Sequence, residues 1–359
     1  MDIAKLLLQF GGLSGIVILA GVFLTKYADT LGERTGLGRS LAGLVLLAAA
    51  TSLPELAVGA SAARLAASDP ANIGAADLAV GGLMGSCLFN LGILAVLDII
   101  FRSHGRMLSR TAAAHALSST ASVVLMGTAL LFLLLGSTDT AWADWSLGQL
   151  GLRYFDVGLG TLAIGATYLI SLRLVYFDQQ HVADVLLKES VVEKEADAPA
   201  QSLWRAVVGY VLATAVIFMA APYMAATADE LATVTGLGQT FVGTTLVAIA
   251  TSLPEVVTTW TALRIGAFDM AVGNIFGSNS FNMVILLIVD AFFDQGSLLS
   301  TVPGSQVHAV TAAAAIIVTA VATMGLLYRA EKRLWFVEPD ALVIILMVLG
   351  AMALIYLLG

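Results

Sequence analysis

Ten stretches of predominantly apolar residues run along the chain, at about 6–25, 39–63, 78–101, 112–135, 155–175, 204–225, 239–263, 270–293, 307–328 and 340–358. Each has close to the roughly 20 residues that an α-helix needs to cross a hydrocarbon core. The pattern predicts ten membrane helices. The second and seventh stretches contain an internal proline, Pro54 and Pro254. A membrane helix tolerates that only where neighbours or a wet cavity re-satisfy the freed backbone. The longest polar segment, Arg173 to Arg205, separates five stretches from five. Three parts are therefore expected: a first five-helix half over 1–175, a linker over 176–203, and a second half over 204–359.

The halves share an order of polar positions. Ala28-Asp29 matches Ala228-Asp229, and Thr35-Gly36-Leu37-Gly38 matches Thr235-Gly236-Leu237-Gly238, both 200 residues apart. The pentapeptide Thr-Ser-Leu-Pro-Glu begins at Thr51 and again at Thr251. Beyond it the offset is 192, pairing Ala79-Val80-Gly81 with Ala271-Val272-Gly273, Gly85-Ser86 with Gly277-Ser278, Phe89-Asn90 with Phe281-Asn282, and Asp98 with Asp290. Unrelated apolar segments would share Leu, Val and Ala, not this series. The chain is an internal duplication.

Composition removes the soluble alternatives. Of 359 residues 59% are hydrophobic and 12% charged, against about 25% charged in soluble domains. The net charge of −8 says little about partners, since much of it lies between Asp178 and Asp197; nothing points to nucleic acid. The single cysteine, Cys87, rules out an intrachain disulfide and leaves no thiolate cluster for a metal. The first apolar run lacks a signal-peptide cleavage pattern and reads as a membrane helix. With alternating spans, Lys5, Arg64 and Arg153 fall on the N-terminal side and the other fourteen of the 17 Lys and Arg on the opposite side. The positive-inside rule then places both termini outside and the linker in the cytoplasm. Five spans per half is odd, so the second half is expected to enter the membrane inverted, as in many transporters. The predicted fold is an all-α polytopic membrane protein of ten transmembrane helices in two inverted five-helix repeats.

A glutamate inside a membrane span is costly unless it faces a partner or a wet cavity. Glu55 and Glu255 both do this, each beside a proline. Thr51 and Glu55 are four apart and share a helix face, with Ser52 beside them. Pro54 has no N–H and its ring displaces the carbonyl of Ala50. Ser86 and Asn90 repeat the four-residue spacing one span later. Thr251, Ser252, Glu255, Ser278 and Asn282 supply the same groups from the second half. This is an oxygen-only ligand set with two carboxylates and no His or Cys, which suits hard cations such as Ca²⁺ and Na⁺.

On these motifs the chain resembles the cation/Ca²⁺ exchanger superfamily. Its two copies look like that family's paired alpha repeats, Thr-Ser-Leu-Pro-Glu on one helix and Gly-Ser-x-x-x-(Asn/Asp) on the next. The likeness covers nearly the whole chain. It implies an antiporter exchanging Ca²⁺ for Na⁺ or H⁺, with no organic cofactor and no enzymatic activity. It also implies ion coordination by Thr51, Ser52, Glu55, Ser86, Thr251, Ser252, Glu255 and Ser278, with weaker claims for the Ala48 and Ala248 carbonyls. One departure matters. Many Na⁺-coupled relatives carry an aspartate in at least one half where this chain has Asn90 and Asn282. The H⁺-coupled branch favours asparagine there but has a different glutamate motif. Na⁺ and H⁺ therefore both stay open as the counter-ion.

Other residues have plainer readings. Gly81, Gly82, Gly85, Gly273 and Gly277 are expected at tight helix contacts, and Cys87 in packing. Asp98 and Asp290, about 12 Å past the asparagines along a helix, would either guide cations or cap an interface; Asp29 and Asp229 invite the same choice. His115 and His308 match 193 residues apart; an interfacial place explains them better than proton coupling. Trp142, Trp145, Trp204 and Trp335 sit near span ends as an aromatic belt would. The acidic linker lacks the spacing of an EF-hand loop and reads as a tether. The plasma (inner) membrane is the expected location, the lipid bilayer the partner, and a monomer sufficient for transport. An antiporter for Mg²⁺ or Mn²⁺ remains an alternative, as does a cation channel. An anion transporter lacks a midplane Arg or Lys, and no hydrolase or phosphate-loop motif appears.

Overall fold

The computed structural model describes residues 3–101, 112–138, 145–150, 156–189, 202–235, 250–328 and 339–358. These residues are almost entirely helical. The elements run α1 (Ile3–Thr35), α2 (Gly38–Leu41), a π-helical turn (Ala42–Leu47), α3 (Ala48–Thr51), α4 (Leu53–Ser68), α5 (Ala75–Ile100), α6 (Ala112–Gly136) and α7 (Leu159–Glu189). They continue as α8 (Leu203–Val234), α9 (Leu253–Arg264), α10 (Phe268–Phe293), α11 (Leu298–Thr301), α12 (Ser305–Tyr328) and α13 (Pro339–Leu358).

Among the described residues eight helices are long and apolar enough to cross a membrane: α1, α5, α6, α7, α8, α10, α12 and α13. A ninth span forms if Gly38–Thr51 and Leu53–Ser68, bent by 41° at their junction, are taken together. This is the expected second stretch, and it breaks where Pro54 sits. The first part of the seventh stretch, up to residue 249, lies outside the described residues; from Ala250 onward the chain is helical again, with a break at Ser252.

Several boundaries differ from expectation, and the sixth helix, predicted over 204–225, runs on to Val234. The first helix extends from the predicted 6–25 to Ile3–Thr35. The fifth continues to Glu189, so the predicted linker is helical over its first part; residues 190–201 lie outside the described set. The reason is physical: apolar length reports the thickness of the hydrocarbon layer, whereas an α-helix satisfies its own backbone and can run on into water. Trp204 is exposed in the first turn of α8, as a belt residue would be; Trp142 and Trp335 fall outside the described residues.

Large apolar side chains on α1, α7, α8 and α13 face outward, among them Leu8, Leu169, Met219 and Leu357. The interior is built on α5 and α10, the most enclosed of the spans. Two glycines turn the chain from α1 into α2. Gly36 and Gly38 have φ of +75° and +76°, a left-handed backbone that side-chain-bearing residues rarely adopt. Across this turn Arg39 Nε lies 2.7 Å from Asp29 Oδ1, so Asp29 serves an ion pair.

The bent second span lies directly on α10. A Cβ on Gly43 would collide with the carbonyl of Met270, and one on Gly277 with the carbonyl of Leu44. A Cβ on Gly273 would sit 2.6 Å from the Ser40 carbonyl oxygen. Backbone thus touches backbone, the close approach that small residues allow between membrane helices. The tight-contact reading holds for Gly273 and Gly277 but fails for Gly82 and Gly85, which meet nothing within 4 Å. Gly277→Ala is expected to lower stability by about 1–3 kcal/mol, the scale of overpacking a filled interior. Thermal unfolding in detergent measures this, with Gly15→Ala, which meets nothing within 4 Å, as the control that should melt no lower than the parent.

Candidate cation-binding site

The two pentapeptides fold alike. Helix α3 ends at Thr51, Ser52 adopts φ −86° and ψ 3°, and α4 restarts with Pro54 in its first turn. In the second half Ser252 adopts φ −89° and ψ 6°, with Pro254 in the first turn of α9. Proline suits a first turn because its missing N–H would be unpaired there anyway. The Leu56 and Val256 amides then reach the Ser52 and Ser252 carbonyls, both at 3.1 Å. Each break places its glutamate one residue past the proline, at the positive end of a helix dipole. The Ala48 carbonyl accepts the Ser52 amide at 3.1 Å, whereas Pro54 has no N–H for the Ala50 carbonyl. Ala248 lies outside the described residues.

Tertiary packing brings Thr51 and Glu55 of the first half together with Glu255 and Ser278 of the second. Thr51 donates to the Leu47 carbonyl at 3.0 Å, and its oxygen lies 3.3 Å from Ser278 Oγ on α10. It also stands beside the Glu255 carboxylate, which in turn neighbours Glu55. Glu55 and Glu255 are only 6% and 1% exposed. Ser86, Asn90, Thr251, Ser252, Ser278 and Asn282 are all buried as well.

The electrostatic content of this cluster lies in what it lacks. Buried polar atoms are nearly always hydrogen-bonded, and leaving one unpaired costs about 1–3 kcal/mol. Yet Ser52 Oγ, both Glu55 oxygens, Asn90 Oδ1, Ser252 Oγ, Glu255 Oε2 and Asn282 Oδ1 are buried without a partner. These are seven of the twelve such side-chain atoms among the described residues. All seven are oxygens, and all belong to residues expected to bind the ion. An array of this kind can replace the hydration shell of a hard cation.

The remaining candidates lie elsewhere. Asp290 is buried and accepts the Gly158 and Leu298 amides, each at 2.8 Å, and the Thr161 hydroxyl. It holds the α7 start and the α11 start against the end of α10, so the capping reading holds over cation guidance. His308 Nε2 lies 2.9 Å from Asp77 Oδ1 and His115 Nε2 lies 3.4 Å from Asp269 Oδ1. Each pair joins one half to the other near helix starts, away from the glutamates.

Two asparagines escaped the sequence reading. Asn279 accepts the Asn90 amide at 3.0 Å, and Asn274 donates to the Thr258 and Thr259 hydroxyls at 3.1 and 3.0 Å. Asn279 stands at the repeat position of Cys87, so aligning the halves was the signal that could have found it. No such signal existed for Asn274, whose counterpart is Gly82.

A helical membrane protein with a buried, oxygen-lined site shared by two repeated motifs is the architecture of an ion transporter. The family described as sodium/calcium exchanger protein matches residues 5–173 and 205–358, and the chain belongs to that family. It is 25% identical to the putative antiporter CaxA of Alkalimonas amylolytica over 310 residues, covering 85% of this chain and 86% of that protein. It is 29% identical to the inner membrane protein YrbG of Escherichia coli K12 over 302 residues, covering 80% and 82% respectively. The fold is similar to that of the sodium-calcium exchanger NCX_Mj soaked with 2.5 mM Na⁺ and 0.1 mM Sr²⁺, with a TM-score of 0.66 at 16% identity, over 98% of this chain and 99% of that one.

The unpartnered serines separate stability from binding. Ser52→Ala and Ser252→Ala each remove a buried hydroxyl that bonds nothing in the protein. The ion-free variants should melt no lower than the parent, and up to a few degrees higher, while the rise in melting temperature on adding Ca²⁺ shrinks. Thermal unfolding with and without CaCl₂ measures both.

Proposed function

We propose that the protein is a secondary antiporter that exchanges Ca²⁺ for a monovalent cation, Na⁺ or H⁺, by alternating access. The observation that carries this reading is the set of seven buried, unpartnered oxygens on Ser52, Glu55, Asn90, Ser252, Glu255 and Asn282. Buried oxygens without a protein donor suit a hard cation, and both halves contribute them. The ion loses its water to hydroxyl, amide and carboxylate oxygens while Glu55 and Glu255 balance its charge. Ca²⁺ and the counter-ion compete for the same ligands, and that competition couples their fluxes.

The duplication and the cluster's place between the halves support binding at the interface of two inverted repeats, near the membrane midplane. The first and sixth spans, α1 and α8, lack the motifs and lie along one another. They are suited to move as a gate against the site. The likeness to an inner membrane protein supports a plasma-membrane location. Oxygen ligands also suit Mg²⁺ and Mn²⁺, but Mg²⁺ demands near-octahedral geometry and sheds water reluctantly, so Ca²⁺ is preferred.

Glu55→Gln and Glu255→Gln should each abolish Ca²⁺ uptake into proteoliposomes driven by outward Na⁺ or H⁺ gradients, run in parallel. Normal transport by either variant would sink the proposal.

Charge balance gives a second expectation. Two carboxylates neutralise one Ca²⁺, two Na⁺ or two H⁺, and net charge in a buried site is expensive. Exchange should therefore be close to electroneutral, and an imposed membrane potential should change the initial uptake rate little. Strong voltage-driven flux would reject this stoichiometry without touching the site.

A further inference from the structure

Asn279 on α10 and Cys87 on α5 occupy the same position in the two repeats, 192 residues apart, and they meet. Asn279 Nδ2 donates to the Cys87 carbonyl at 3.1 Å, and the Cys87 thiol points at the Asn279 carbonyl from 3.6 Å. Asn279 Oδ1 in turn accepts from Asn90 Nδ2 at 3.0 Å. A carboxamide has one end that only donates and one that only accepts. The direction of this chain therefore follows from its first link. A backbone carbonyl cannot donate, so the Cys87 carbonyl holds the nitrogen end of Asn279. The oxygen end is left for Asn90, which must answer with its own nitrogen. Its oxygen is then turned away, and it is one of the buried oxygens without a partner.

We propose that Asn279 is a positioning residue of the cation site, locking the Asn90 amide with its oxygen toward the ion and its N–H groups away. The proposal rests on the reading of Asn90 as a cation ligand. Among the described residues the lock is found in one half only. The Asn282 side chain faces the Cys87 thiol, a weak hydrogen-bonding group that cannot dictate the direction of an amide as a carboxamide does. Two asparagines that match in the sequence are thus held unequally. A freely flipping Asn90 would present N–H donors to a cation part of the time, which weakens binding.

The test is calorimetric titration of the purified full-length protein with Ca²⁺, together with thermal unfolding without added ions. Asn279→Ala should weaken Ca²⁺ binding about tenfold, the scale of losing one well-placed polar ligand. Asn279→Cys, which copies the residue found in the first half, should do the same with little change in melting temperature. The decisive arm is Asn90→Asp. A carboxylate has two equivalent oxygens and no direction to lock, so adding Asn279→Ala or Asn279→Cys to Asn90→Asp should cost less than about twofold. An equal penalty in both backgrounds would mean that Asn279 acts by packing, and the proposal would fall. Wild-type affinity in Asn279→Ala would also overturn it. If Asn279→Ala does not fold, Asn279→Cys carries the same comparison. Asn90→Ala separates the two readings. Unchanged affinity in that variant removes Asn90 as a ligand, whereas a loss there with none in the Asn279 variants removes the positioning role alone.

Discussion

An oxygen atom buried inside a membrane protein must be satisfied by a protein donor, by water in a cavity, or by a cation. The rest of this structure is arranged around a place where that demand is left open. Glu55 and Glu255 are buried and feel one another's charge, and hydroxyl and amide oxygens of the same motifs are buried without bonding anything in the protein. Two neighbouring carboxylates in a low-dielectric interior repel one another, and each pays for its own desolvation. The arrangement is costly empty, and a cation of the kind proposed would relieve that cost. Membership of the sodium/calcium exchanger family accords with that.

Backbone geometry creates the opening. At Ser52 and Ser252 the chain leaves the helix for a single residue and starts again at a proline, in both halves with the same dihedral angles. The glutamates are thereby placed in first turns of new helices. On one side the broken span is held against α10 with almost no intervening side chain, because Gly43, Gly273 and Gly277 leave room only for backbone. A π-helical turn at Ala42–Leu47 precedes the break, and such turns often accompany functional sites. Rigid scaffolding one turn away keeps the unpaired oxygens from collapsing onto other partners.

The halves are tied by polar contacts that differ in kind with distance from the glutamates. At helix starts, His308 with Asp77 and His115 with Asp269 join one half to the other. At the site, Thr51 with Ser278 and Asn90 with Asn279 do so. The duplicated sequence does not produce duplicated bonding, however. Asn274 gathers Thr258 and Thr259 in the second half, where the first half has Gly82, Val58 and Gly59. One repeat therefore carries a polar cluster that the other replaces with apolar atoms and backbone.

Much of this protein was written in its order of residues. Apolar run length marked most of the spans because membrane thickness sets it. The paired Thr-Ser-Leu-Pro-Glu and Gly-Ser elements marked the candidate ligand residues, because four-residue spacing puts side chains on one face of a helix whatever surrounds it. The break at Pro54 was legible for the same local reason. Helix ends beyond the apolar layer were not, since α7 runs on to Glu189 where hydropathy has nothing to report. Nor were Asn279 or the fate of Asp290. Whether a buried carboxylate ties helix starts together depends on which donors arrive, and for Asp290 two of them, Gly158 and Thr161, come from more than a hundred residues away. Which end of the Asn90 amide turns to the site depends on Asn279, and that in turn on a carbonyl of Cys87. The sequence by itself determined which oxygens are present and on which helix face they stand. Only the tertiary packing around α5 and α10 decided which of them bond within the protein and which have no protein partner.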